Sequence, residues 1–234
     1  MKNINRYFMV SIILSFFLFS EPGYAEGIVL EGTRVIYKSG TKTKTVKVKN
    51  TDKETTFLVQ NWVETESGDR TSDFILTPPV FKSVPDSDNL LRLRYAGGVG
   101  LPENKESIFY LNVKSIPSID KSAISDRNVM VLAVKTRLKL IYRPAKVPDY
   151  KDSQIPELLK FYNDINHLYA ENSTPYYITL TNITSNNEKI NDVMLRPYDS
   201  MKIRDNLISK EISFSFINDF GTLVGVEHKN VERK

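Results

Sequence analysis

The sequence predicts an all-β protein built as antiparallel sandwiches. Three observations predict it. Short apolar-alternating runs recur through residues 26–146, with a turn signal after nearly every one. A stretch punctuated by Pro144, Pro148 and Pro156 then breaks the pattern, and strand patterns resume over residues 175–226. With 234 residues and 41% hydrophobic side chains, the chain can fill the cores of two domains of about 100 residues each.

The elements follow in order. Residues 1–25 read as a secretory signal. Lys2 and Arg6 form a basic start, Tyr7 to Phe19 is an apolar core too short to span a bilayer, and Gly23-Tyr24-Ala25 supplies small residues for cleavage. The mature chain is therefore expected to be exported. "GIVLEGTRVIYKSG" is apolar-rich and turns at Ser39-Gly40. "TKTKTVKVKN" sets Val46 and Val48 against Lys47 and Lys49, and outward lysines on a strand oppose edge-to-edge aggregation. "TFLVQNWVETESGDR" alternates around Trp62, and Glu64 and Glu66 read as a solvated strand face. "FILTPPVFKSV" carries a Pro-Pro pair that stops regular pairing. "NLLRLRY" and "ESIFYLNVKSI" follow as strands. After a polar loop comes "NVMVLAVKTRLKLIYRP", residues 128–144. The first domain is expected to span 26–146 and the second 147–234, with one or two helical turns between Pro156 and Asn163.

Several kinds of chemistry are excluded. There is no cysteine, so disulfides, thiol nucleophiles and thiolate metal sites are absent. The two histidines, His167 and His228, have no metal-like spacing, and no phosphate loop, nucleophile elbow or dinucleotide turn occurs. No catalytic residue, metal or cofactor is expected. Without residues 1–25 the chain keeps 30 basic and 27 acidic side chains, a net charge of +3, too mild for a dedicated nucleic-acid binder. No small-molecule substrate is indicated.

The stretch 128–144 stands apart. Val129 to Val134 is apolar on both faces: Met130, Leu132 and Val134 on one, Val129, Val131 and Ala133 on the other. Such a strand is either buried between two layers, or an interaction strand that keeps one face in its own core and lends the other to a partner.

"LPENKESIFYLNVKSIPS", Leu101 to Ser118, resembles the signature of the periplasmic chaperones of chaperone/usher pilus assembly. "TRLKLIYRP" resembles the end of that family's last first-domain strand, and "TPYYITL" and "INDFGT" resemble parts of its second domain. The resemblance implies two immunoglobulin-like sandwich domains set in an L with a cleft between them. It implies no enzyme activity, but a chaperone that caps pilus subunits by lending them a strand and delivers them to an outer-membrane usher without nucleotide. By motif position, Arg34 and Lys139 would anchor the subunit's C-terminal carboxylate, and Met130, Leu132 and Val134 would be the donated side chains. Glu106, Arg143 and Asp219 would form an inter-domain charge network. Pro79 and Pro117 stand where the family has special turns, with a cis bond at either an open question. The modest loop before residue 128 and the lack of cysteine point to the short-loop branch. An exposed apolar edge also favours self-association of the subunit-free protein. The competing reading is an exported immunoglobulin-like adhesin or carbohydrate-binding module. Lys139 has the opposite parity to Met130, Leu132 and Val134, so a regular strand would aim it at the other face.

Overall fold

The computed structural model of the chain describes residues 26–98, 100–119 and 130–233. The signal assigned to residues 1–25 lies outside the described residues, as does Val129. The first sandwich is formed by β1 (Ile28–Leu30), β2 (Arg34–Lys38), β3 (Lys44–Asn50), β4 (Phe57–Thr65), β5 (Phe74–Thr77), β6 (Val80–Ser83), β7 (Asp88–Tyr95), β8 (Ser107–Pro117) and β9 (Val134–Arg143). One sheet runs β1-β3-β7-β5 and the other β2-β9-β8-β4-β6. Alternation places Val46, Val48, Leu91 and Leu93 of the first sheet against Val59, Val63, Leu111, Val113, Leu138 and Leu140 of the second.

Two sequence runs change sheet partway. "GIVLEGTRVIYK" gives β1, which pairs with β3, and β2, which pairs in parallel with β9. Gly32, at φ +84°, lies in the crossing between them, a conformation that suits glycine. Pro78-Pro79 separates β5, paired with β7, from β6, paired with β4. The cis peptide bond is Thr77–Pro78 rather than one before Pro79 or Pro117.

The second sandwich holds β10 (Leu159–Asp164), β11 (His167–Asn172), β12 (Ile178–Ser185), β13 (Glu188–Ile190), β14 (Val193–Leu195), β15 (Asp199–Asp205), β16 (Glu211–Ile217), β17 (Leu223–Asn230) and β18 (Glu232–Arg233). Its sheets run β15-β11-β10-β18 and β13-β12-β16-β17, with β14 also on β12. Phe161, Leu168, Leu180, Ile183, Phe214 and Phe216 fill the core. The expected helical turns are shorter than the sequence suggests. Asp152–Gln154 and Pro156–Leu158 are single 3-10 turns, and the chain enters β10 at Leu159. Period-two burial of Leu159, Phe161 and Asn163 decides it: those side chains point to one face of a sheet.

Residues 130–134 are neither buried between layers nor half in their own core. The paired strand begins only at Val134. Met130, Val131, Leu132 and Val134 are 83%, 43%, 65% and 58% exposed, and Ala133 is exposed as well. The cause is the extent of the pairing: the ladder with β8 ends at Ser115 opposite Val134. That ladder runs from Ser107 opposite Tyr142 to Ser115 opposite Val134 without a register shift. No bulge therefore re-aims Lys139. Leu138 and Leu140 face the core, so Lys135, Arg137, Lys139 and Arg143 face the opposite side.

Candidate functional site

Arg34 opens β2 and lies directly beside Lys139 of β9 in the parallel register. Both half-buried side chains reach across to the second sandwich. Lys139 Nζ donates to Thr179 Oγ1 at 3.0 Å, and Arg34 Nη2 reaches the same oxygen at 3.5 Å. Arg34 Nη1 donates to the Ile217 carbonyl at 3.0 Å, while its Nε is buried without a partner. Neither cation has a carboxylate within ion-pair distance among the described residues. Burial lowers the Arg34 pKa, against the pull of Asp219 and Glu106. Burial, and then the charge of Arg34, lowers that of Lys139. Two partly desolvated like charges set side by side make a ready anion site. The arginine offers a planar fork and the lysine a point charge, a pairing suited to a carboxylate.

A second constellation lies at the end of β9. Arg143 Nε donates to Glu106 Oε1 at 2.6 Å, and its two terminal nitrogens donate to the Asp219 carboxylate at 2.6 and 2.7 Å. Glu106, from the first sandwich, also accepts the Tyr177 amide of the second at 2.7 Å. The guanidinium stacks on Tyr176 at 4.2 Å. Although burial pulls the Arg143 pKa down, the Asp219 hydrogen bonds and the Glu106 charge push it above the ordinary arginine range. The three residues named from the sequence thus meet between the sandwiches. Desolvation offsets much of the attraction in such a network, so its net contribution to stability is smaller than its short distances suggest.

The third feature is an edge. β2 pairs with β9 only from Lys139 onward. From Val134 to Leu138, β9 has β8 on one side and no strand of the described residues on the other. The apolar overhang of Met130, Leu132 and Val134 continues from this open edge, and the cation pair stands at its inner end.

Sequence reasoning missed other residues here. Glu64 is not on a solvated face: it is 8% exposed. It accepts from Trp62 Nε1 at 2.7 Å and Lys135 Nζ at 3.1 Å, and lies 3.7 Å from Arg137 Nε. Both cations come from another strand, so only the sheet register could have revealed them. Glu66 accepts from Arg196 of the second sandwich at 2.8 Å. Thr179 and the Ile217 carbonyl carried no sequence signal. The histidines lie in different strands, His167 on β11 and His228 on β17.

Comparison with known proteins gives concordant matches. Residues 27–148 match the family described as pili and flagellar-assembly chaperone, PapD N-terminal domain, and residues 154–227 match the pili assembly chaperone PapD, C-terminal domain. The probable fimbrial chaperone SfmC of Escherichia coli K12 is 35% identical over 225 residues, covering 95% of this chain and 97% of that protein. The chaperone protein FimC of the same strain is 36% identical over 231 residues, covering 95% of each. Among solved structures, the periplasmic chaperone SfaE aligns with a TM-score of 0.74 at 31% identity, covering 89% of this chain and all of that one. The Salmonella enterica SafA pilin in complex with the SafB chaperone aligns with a TM-score of 0.79 at 25% identity, over 89% and 98%.

Proposed function

The chain belongs to the family of pili-assembly chaperones, and from that premise we propose how its own residues do that work. It is a non-enzymatic fimbrial chaperone of the chaperone/usher pathway, acting in the periplasm. It binds pilus subunits, as SafB binds the SafA pilin, and hands them to an outer-membrane usher. Residues 1–25 serve as the export signal, 26–146 as the domain that lends the strand, and 147–234 as the domain that closes the cleft. The chain falls in the short-loop branch of the family.

The observation that carries this reading is the position of a cation pair at the inner end of a strand edge, with no carboxylate partner and no neighbouring strand among the described residues. Arg34 and Lys139 take the C-terminal carboxylate of the subunit, replacing the contacts with a neutral hydroxyl that both now share at Thr179 Oγ1. The direction of the guest follows from that. Its last residue sits at Lys139 and its preceding residues lie alongside Leu138 back to Val134. The guest strand therefore runs toward Lys139 as β9 does, parallel to it and in line with β2. Main-chain bonds along the open edge supply affinity, and Met130, Leu132 and Val134 fill the guest's apolar groove. A subunit lacking a strand would otherwise expose that groove and its unpaired backbone. The Glu106–Arg143–Asp219 network keeps Thr179 and Ile217 opposite the cation pair.

The test is co-purification of the protein with a pilus subunit from periplasmic extract, alongside Arg34→Ala and Lys139→Ala. A one-to-one complex is expected, lost in each variant while circular dichroism stays native. Full binding by both variants would remove the anchor; no complex with the native protein would remove the reading as a whole.

A further inference from the structure

The cleft-facing side of β9 carries more than the anchor. Lys139, Arg137 and Lys135 follow one another on that side, and their β8 neighbours are Tyr110, Asn112 and Lys114. Arg34 extends the row on β2, and Arg70 lies over the Trp62 ring at 4.8 Å. Arg137 stacks on Tyr110 at 3.6 Å, and Lys135 lies 5.2 Å from the Trp62 ring centre. Glu64 is set among these cations, but its one charge is divided between Lys135 and Arg137. Both cations remain part-exposed, so the strip keeps a positive excess, and its side chains are held in place by a buried carboxylate and by rings.

A guest strand lying in the line of β2 would send every second side chain to this side, next to Arg137 and Lys135. Cross-strand neighbours of opposite charge stabilise a sheet, and like charges oppose it. We infer that the Lys135–Arg137 strip selects guests whose final strand carries acidic side chains at alternate positions, in the phase that faces the cleft. The partner is the subunit already proposed, so the inference rests on that reading and adds a specificity element to it. Charge complementarity argues for it, together with continuity between the strip and the anchor. Lys135 and Arg137 act on which guest binds, whereas Arg34 and Lys139 act on where its end is held.

The experiment uses twelve-residue peptides with a free C-terminal carboxylate, alternating aspartate and valine. Two phases are made by shifting the pattern by one residue. Each is also made with asparagine for aspartate, and each as the C-terminal amide. Binding to the full chain is measured by titration calorimetry. In one phase the aspartate peptide is expected to bind about fivefold tighter than its asparagine twin, from two favourable cross-strand pairs. The margin should shrink at high salt, and in Lys135→Gln. The other phase should show no gain. Equal binding of aspartate and asparagine peptides in both phases overturns the inference, even where free acids still outbind amides and the anchor stands. Free acids and amides binding alike would instead sink the anchor, and the aspartate margin would still decide this inference by itself. Absence of binding by every peptide would count against both.

Discussion

Replacing Lys139 by methionine should separate binding from stability. In the complex the ammonium makes a charge-assisted bond to the guest carboxylate, worth about 1.5–3 kcal/mol. Its loss should weaken binding roughly 10- to 150-fold. In the free protein the same side chain contributes one bond, to Thr179 Oγ1 at 3.0 Å, worth about 1.5 kcal/mol at the low end of the range for a charged donor. Against that stand its burial and the adjacent Arg34 charge, the two causes that depress its pKa. Methionine keeps the stem's packing and removes both. The stability change should therefore stay within about 1 kcal/mol, or about 2–4 °C in Tm for a chain of this size. Titration calorimetry with a subunit's free C-terminal peptide reads the first quantity, and scanning calorimetry reads the second. Unchanged affinity would refute the anchor. A loss of more than about 3 kcal/mol in stability would show Lys139 to be a structural residue instead, in the range seen when a buried charge loses its partner.

Three further outcomes are expected. Leu132→Asp should leave the melting temperature of the free protein within about a degree or two, since the side chain is exposed, yet abolish subunit capture in pull-down. Arg143→Met should destabilise the protein by about 3–5 kcal/mol in denaturant titration, because Glu106 would stay buried without its cation; Asp219→Asn, at an exposed carboxylate, should cost far less. Guest affinity should fall as pH rises, beginning below the ordinary lysine value of 10.5, because Lys139 is depressed in the free protein and the bound carboxylate raises it again, so that binding takes up a proton in that window. By the same sign, the free protein gains stability as pH climbs through the lowered Lys139 pKa toward 10.5. Calorimetry in buffers of different ionisation enthalpy would detect the proton, and Lys139→Met should lack the effect.

Alternation makes the core strands legible. Val46 and Val48, or Leu91 and Leu93, announce both strand and inner face. Where a run serves two sheets the pattern is silent: nothing in "IVLEGTRVIY" tells that Leu30 and Val35 belong to opposite layers, because both are buried. In "LLKFYND" a proline shortly before an apolar run suggests a helix. Yet Leu159, Phe161 and Asn163 are buried at alternate positions, and that period of two belongs to a strand.

The site is legible only in part. The proposed anchor residues and the network residues stand in motifs that resemble the family's, so Arg34, Lys139, Glu106, Arg143 and Asp219 can be named from the chain. Their partners cannot. Thr179 is one threonine among many until the second sandwich brings it to Lys139. Glu64 reads as solvated because strand alternation assigns a face but not what covers it, and here Trp62, Lys135 and Arg137 cover it. The overhang misleads for a related reason. Where the pairing with β8 stops, leaving residues 130–133 without a strand partner among the described residues, is a property of the ladder and not of the overhang's own sequence.

The proposed anion site is split between two separately cored units. Arg34 and Lys139 come from one, Thr179 and the Ile217 carbonyl from the other. If these cations hold a guest carboxylate as proposed, the arrangement would make guest capture depend on both sandwiches being folded. A chain whose second sandwich is unfolded or clipped away would leave both cations fully hydrated, and a hydrated cation grips a carboxylate weakly. Half-made copies would then seldom sequester a guest. The same division constrains chimeras: a second sandwich exchanged between relatives would have to bring a hydroxyl at Thr179, a free carbonyl at Ile217 and a carboxylate at Asp219 together, since each completes a side chain that the first sandwich leaves unfinished.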